Sequence, residues 1–143
     1  MDYFKAIEIS AAGMAAQQAR VEAATLNLAN MNTSAAPGTG GYQPITAVIY
    51  SVPTSFSQVL GGDPRHLVIP RAALVAQTGV VPRTVYEPGH PNADASGIVS
   101  YPGVNHTQEM MTVMTALRAY EANLAALQAT KTLAAKALEI GGQ

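Results

Sequence analysis

The sequence predicts a mainly α-helical protein in which a small β-rich insert separates two long helices. All nine prolines lie between Pro37 and Pro102, whereas segments 3–30 and 105–140 contain no proline and only one glycine, Gly13. Because proline and glycine interrupt helices, both flanks are predicted to be helical. The expected organisation is a helix within residues 1–33, an insert over 34–104 and a second helix within 105–143, the two helices pairing in a coiled-coil-like manner.

The first predicted helix has an apolar residue at every seventh position. The companion positions three residues earlier are only partly apolar, so the helix is expected to be a weak coiled coil by itself. Small residues surround Gly13, where glycine would otherwise cost about 1 kcal/mol relative to alanine. This zone is expected to allow a neighbour to pack closely against the helix. The regular row consists of Ile7, Met14, Val21 and Leu28.

The second predicted helix has a longer apolar row, with steps of three and four residues. Asn105 is the predicted N-cap, with Gln108 three residues later and Glu109 in the first turn. The Gly141-Gly142 pair is expected to end the helix. The row runs through Met110, Val113, Leu117, Tyr120, Leu124, Leu127, Ala134 and Leu138, interrupted by Lys131.

A row of mostly small residues lies on the opposite side of this second helix. It is displaced by two residues, or about 200° of rotation, from the apolar row. One interpretation is that these residues are good helix formers on an exposed surface. The other is that they pack closely against a neighbour, because helices that are apolar on several faces are typical of assemblies. The row consists of Thr115, Ala119, Ala122, Ala126, Ala129 and Leu133.

The insert is predicted to contain short strands. Residues 43–50 and 80–86 are rich in β-branched and aromatic side chains, and Pro82 indicates an edge strand. Segments 67–69 and 73–75 are shorter apolar pieces that fit a small sheet or a set of hairpins. The glycine-rich segment 38–41 is expected to be a flexible link.

The composition excludes most kinds of chemistry. The chain has no cysteine and a net charge of −1, and only 12% of its residues are charged. It has no phosphate-binding glycine loop, no nucleophile elbow and no basic patch for nucleic acid. We therefore expect no enzyme activity and no cofactor. The first residues lack the features of a secretory signal, and no apolar run is long enough to cross a membrane.

One segment could in principle hold a metal ion. Residues 87–94 bring His90 close to Asp94, but a third ligand and a supporting shell would be needed. The Pro88-Gly89 and Pro91-Asn92 pairs are typical of tight turns. A tight loop is the predicted structure, and no metal ligand is assigned.

Three segments resemble bacterial flagellar rod and hook proteins. Residues 25–33, TLNLANMNT, are similar to the asparagine-rich signature that closes the N-terminal helix of that family, and 116–123, ALRAYEAN, resemble its C-terminal motif. Residues 86–97 and 101–105 are similar to a stretch typical of the C-type proximal rod members. The resemblance is weak over residues 34–78.

The resemblance implies a structural subunit of the flagellar proximal rod. Members of this family polymerise through terminal helices that line the inner tube of a periplasm-spanning drive shaft. They are exported by the flagellar type III apparatus without a cleaved signal, and their expected neighbours are proximal and distal rod subunits, the basal adaptor protein and the inner-membrane ring. The expected assembly interface comprises Ile7, Met14, Val21, Asn27, Leu28, Asn30, Val113, Leu117, Tyr120, Asn123, Leu124 and Leu127.

Three alternatives remain at this stage. Another short rod subunit, the B type, shares the helical signatures but not the stretch at 86–97. A metal-dependent periplasmic cell-wall hydrolase would need a metal site that includes His90. A membrane-active pair of amphipathic helices would need more basic residues than these helices carry.

Overall fold

A computed structural model describes residues 3–36, 40–53 and 68–141 of the chain. It contains two long helices and four strands, in agreement with the predicted class of two helices around a small β region. In chain order these are α1 (Tyr3–Asn30), β1 (Ile45–Pro53), β2 (Val68–Ala76), β3 (Arg83–Tyr86), β4 (Ile98–Tyr101) and α2 (His106–Gly141). Residues 38 and 39 of the predicted glycine link lie outside the described residues, as does Leu67.

The two helices begin and end close to their predicted limits. α1 has 28 residues and α2 has 36. The side chain of Asn105 accepts a hydrogen bond from the Gln108 amide at 3.2 Å, and its carbonyl accepts one from the Glu109 amide at 3.0 Å. Asn105 is therefore the N-cap of α2, which confirms that prediction.

The four strands form two separate two-stranded sheets, β1 with β2 and β3 with β4. The sequence predicted two separate apolar pieces at 67–69 and 73–75. This division was wrong, because residues 68–69 and 73–75 both lie on the single strand β2. Pro70 is tolerated there because each strand of a two-stranded sheet has a free edge. β4 was not predicted, and it pairs antiparallel with β3, Arg83 opposite Tyr101 and Tyr86 opposite Ile98.

The chain forms two compact units. Unit 1 contains residues 1–19, 48–73 and 115–143, and unit 2 contains 20–47 and 74–114. In the described part of unit 1, the buried apolar side chains are those of Ala16 and Ala116. Unit 2 buries mainly small side chains as well, and Val99 and Asn27 are its largest fully buried ones. Among the residues that the structure describes, both units therefore bury mainly small side chains.

Across the described ranges 3–36, 40–53 and 68–141, no helix is both long and apolar enough to span a membrane.

Candidate assembly interface

The best-defined polar site lies in unit 2, around the buried side chain of Asn27. Its Nδ2 donates to the Ile45 carbonyl at 2.8 Å and to Glu109 Oε1 at 3.1 Å. Its Oδ1 accepts from the Tyr42 hydroxyl at 2.8 Å and from the Ile45 amide at 2.9 Å. An asparagine amide has two donor hydrogens and two acceptor lone pairs, so all four are used. We call Asn27, Tyr42, Ile45 and Glu109 the asparagine node.

The asparagine node fastens three segments that are distant in sequence. Asn27 lies in the last turn of α1, Ile45 begins β1, and Glu109 lies in the first turn of α2. A buried amide without partners would cost about 1–3 kcal/mol, whereas this one is fully satisfied. The node therefore fixes where α1 ends relative to β1 and α2.

The hydroxyl that Tyr42 contributes to the node has a raised pKa. Burial raises the pKa of Tyr42, and the nearby carboxylate of Glu109 raises it further. Both causes act in the same direction, since a phenolate would be poorly solvated and repelled by Glu109. The hydroxyl is therefore held protonated as a donor to Asn27.

In unit 1, α1 and α2 meet through small and amide side chains. A Cβ at Gly13 would lie only 3.1 Å from both amide atoms of Asn123, which is tighter than ordinary contact. The Asn123 Nδ2 donates to the Ala119 carbonyl at 3.0 Å. Gly13 thus permits a close approach to α2 of the same chain.

The large apolar side chains of α2 lie mostly outside this contact. Leu117 is 48% exposed, Tyr120 38% and Leu124 37%, although their neighbour Ala116 is fully buried. We call Leu117, Tyr120 and Leu124 the exposed row. Val113, Asn123 and Leu127 are half-buried, so the predicted apolar stripe of α2 is divided between an inner and an outer side.

The predicted residues of α1 have a different distribution. Ile7, Met14, Val21 and Leu28 are all half-buried, and so is Asn30, whose Nδ2 donates to the Leu26 carbonyl at 2.9 Å. Asn27 has no exposed surface, so its side chain is engaged within the chain and not at the surface. Of the small-residue row of α2, Ala119 is half-buried and the other members are exposed.

Sequence reasoning missed the partners of Asn27. Glu109 was assigned a favourable position at the helix N-terminus, but its carboxylate also accepts a hydrogen bond from the amide of Asn27. Tyr42 was not singled out at all. The available signal was an aromatic hydroxyl just before a strand and a lone acidic residue in the first turn of α2, which are too common to indicate a mutual contact.

The loop between β3 and β4 has the turns that the sequence predicted. The His90 amide donates to the Glu87 carbonyl and the Ala93 amide to the His90 carbonyl, each at 3.0 Å. Asp94 Oδ1 accepts from the amides of Ser96 and Ile98, both at 2.8 Å. Within the described ranges no group of three metal-ligating side chains is present. The Asp94 carboxylate therefore organises the loop.

Tyr101 on β4 lies at the centre of a small charged cluster. Its hydroxyl donates to Glu87 Oε2 at 3.0 Å, and the Arg83 guanidinium lies 4.9 Å from its ring centroid. The hydrogen bond to Glu87 raises the pKa of Tyr101, desolvation and the Glu87 charge add to this, and Arg83 opposes it. The cluster connects the Arg83–Tyr101 pair, at the end of the sheet away from the loop, with Glu87 at the start of the loop.

Comparison with known proteins identifies the family. A family model described as the C-terminal region of flagellar basal body rod FlgEFG proteins matches residues 95–140. The flagellar basal-body rod protein FlgC of Bacillus subtilis is 33% identical, with 99% of each chain aligned. The chain belongs to the FlgC family. The FlgC proteins of Salmonella typhimurium and Aquifex aeolicus are each 34% identical, over 94% and 97% of both chains.

Membership of the FlgC family confirms the predicted resemblance to C-type rod proteins. FlgC proteins are structural components of the flagellar basal body, which also confirms the prediction that this chain is a structural rod protein and not an enzyme. The aligned share includes the insert, where the resemblance read from the sequence was weak.

Proposed function

We propose that this FlgC-family chain joins the rod through the exposed row of α2 together with the half-buried row of α1. In this scheme the two helices form one element of a coiled-coil-like tube, and neighbouring subunits cover what the single chain leaves open.

The observation that carries the proposal is that unit 1 buries small side chains and leaves large apolar ones partly exposed. Contact inside the chain uses Gly13, Ala16 and Ala116, whereas the leucine and tyrosine residues of the exposed row remain 37–48% exposed. Full burial of a large apolar side chain contributes roughly 1.5–3 kcal/mol. With about half of each side chain still exposed, covering the exposed row would contribute on the order of 1 kcal/mol per residue.

The partners of this surface are other rod subunits, proximal and distal. We further propose that the basal adaptor protein and the inner-membrane ring lie at one end of the assembly, and that the flagellar type III apparatus exports the chain without cleaving it. An apolar surface of low charge, on a chain with 12% charged residues, supports burial against protein neighbours.

The experiment is to replace Leu124 with aspartate in cells that lack the native gene. Leu124→Asp places a charge in the surface that neighbours should cover, so the variant should be exported and yet fail to enter the rod, and the cells should lose motility. The readouts are swimming, secreted protein and the rod content of purified basal bodies.

The matched control is Ala125→Asp, which adds the same charge one residue away. Ala125 is exposed between Arg118 and Thr132 on a more polar row of α2. This variant should be incorporated and motile. Normal rod incorporation of Leu124→Asp would contradict the proposal.

A further inference from the structure

The side chain of Asn92 attaches the β3–β4 loop to the segment that leaves α1. Asn92 Nδ2 donates to the Ser34 hydroxyl at 3.0 Å and to the Ser34 carbonyl at 3.3 Å. Ser34 follows the last residue of α1, Asn30, by four positions. Asn92 is therefore a point of attachment between the loop and the exit of the helix.

The backbone of Asn92 is in turn held by a titratable group. Its amide donates to His90 Nδ1 at 3.1 Å, and both groups are partly buried. A ring nitrogen that accepts a hydrogen bond carries no proton, so the neutral His90 ring must have its hydrogen on Nε2. A second proton at Nδ1 would turn this atom into a donor that faces the Asn92 amide donor, and the hydrogen bond would be lost.

We propose that His90 is a pH-sensitive latch that holds the β3–β4 loop on the exit of α1 and releases it on acidification. Protonation removes the acceptor for the Asn92 amide, and the Asn92 side chain then loses its fixed position on Ser34. This property goes beyond the assembly role proposed above, because it concerns local order in unit 2 and does not require the exposed row.

The groups that face His90 come from β3, β4, the loop and the exit of α1. On β4, the Tyr101 ring meets the imidazole edge-to-face, with centroids 6.5 Å apart. Arg83 on β3 lies over the ring of Tyr101, and Glu87 on the loop accepts a hydrogen bond from the Tyr101 hydroxyl. Asp94 on the loop holds two backbone amides, and Ser34 on the α1 exit is uncharged.

Release of the latch leaves the rest of unit 2 in place. The segment after α1 also forms a β-bridge between Ala35 and Ser100, which contains no titratable side chain. The hydrogen bonds described for Asn27 and Glu109 in the asparagine node do not involve Asn92. The expected change is therefore confined to the tip of the loop and to Ser34.

The test is hydrogen exchange of the full chain, followed by NMR from about pH 8 to about pH 5, the range in which imidazoles titrate. Exchange rates are corrected for the intrinsic effect of pH. Loss of one hydrogen bond should reduce the protection of the Asn92 amide roughly three- to tenfold. The ring nitrogen shifts of His90 at high pH should show the proton on Nε2.

The decisive variant is His90→Asn. An asparagine carbonyl can accept from the amide two residues later and does not titrate, so the Asn92 amide should stay protected at low pH. His106→Asn is the matched control, since His106 is exposed at the start of α2, and it should leave the wild-type pH response intact. An unchanged response in His90→Asn would overturn the proposal, as would pH-independent protection of Asn92 in the wild type.

Discussion

The asparagine node and the exposed row use their side chains in opposite ways. At the node, in unit 2, a polar amide is completely buried and all of its hydrogen-bonding groups have partners inside the chain. At the exposed row, in unit 1, leucine and tyrosine are 37–48% exposed beside a fully buried alanine. A small monomeric protein normally shows the reverse distribution.

The difference separates two tasks. Directional hydrogen bonds at the node specify how three segments of one chain meet, because an amide is satisfied only in a particular geometry. Apolar surface has no such directionality, and it can be covered by neighbours after the chain has folded. Substitutions at the node should therefore affect folding, whereas substitutions at the exposed row should affect assembly.

The largest expected effect on folding comes from removing the node. Asn27→Ala removes the side-chain partner of the Ile45 amide, and it leaves the Ile45 carbonyl with the longer bond from Gln77 Nε2 at 3.5 Å. It also deprives the Tyr42 hydroxyl and the Glu109 carboxylate of their bonds to Asn27. We expect a loss of about 2–4 kcal/mol in the free energy of unfolding, since several partly buried polar groups lose a hydrogen bond together. Urea denaturation of the purified chain measures this loss.

Asn30→Ala is the matched control for the node. Asn30 lies in the same turn of α1, but its side chain makes a hydrogen bond only to the Leu26 carbonyl among the contacts described. Its replacement should change the free energy of unfolding by less than about 0.5 kcal/mol, as is usual for surface positions. Equal losses for the two variants would show that burial and bonding at Asn27 do not carry the stability assigned to the node.

A smaller effect should come from the close approach in unit 1. Gly13→Ala adds a methyl group 3.1 Å from the Asn123 amide, which offsets the gain of about 1 kcal/mol in helix propensity. We expect little net change, or a slight loss, in the wild-type background. In the Asn123→Ala background the crowding is absent, and Gly13→Ala should then stabilise the chain by about 1 kcal/mol.

A double-mutant cycle over Gly13 and Asn123 measures this coupling directly. If the two substitutions are additive, the two residues do not constrain each other, and the contact in unit 1 is looser than the structure indicates. Thermal unfolding is measured in the same way for the wild type, the two single variants and the double variant.

The smallest expected effect is a loss of stability in alkali. Tyr42 has a raised pKa in the folded chain, so above pH 10.0 the unfolded chain releases this proton first and the free energy of unfolding falls as the pH rises. Below pH 10.0 both states keep the proton and the contribution is constant. Tyr42→Phe should be less stable at neutral pH, because it loses the bond to Asn27, but less sensitive to alkali.

Denaturation curves at several pH values between about 8 and 11 test this sign, covering the range in which tyrosine titrates. Tyr101 also has a raised pKa, chiefly through its hydrogen bond to Glu87, so a variant with phenylalanine at both positions should respond least to alkali. A Tyr42→Phe slope as steep as that of the wild type would contradict the assigned cause.

Much of the fold could be predicted because local signals are strong here. The absence of proline from both flanks fixes the two helices, and Asn105 with Gln108 fixes the start of α2. Strand β4 was missed because it has only four residues, too few for alternation to be distinguished from a loop. Strand β2 was divided in two because Pro70 interrupts its pattern, although an edge strand tolerates proline.

The candidate site was predictable only in part. The sequence singled out Asn27 and Leu117, but it assigned both to one interface. The structure places the first in the interior of unit 2 and the second on the surface of unit 1. Neighbouring rows of α2 are similarly apolar, so periodicity by itself does not decide which of them faces α1.

The sequence by itself determined the two helices, their limits, the tight loop after β3 and the family of rod proteins, because each rests on local residue pattern or on motifs that lie close together in the chain. Only the tertiary structure decided that Glu109 and Tyr42 complete the hydrogen bonds of Asn27, and that Ala116 is buried while Leu117 and Leu124 remain partly exposed. These features depend on contacts between residues as many as 82 positions apart. Such contacts follow from the close approach of whole segments, which local pattern does not specify.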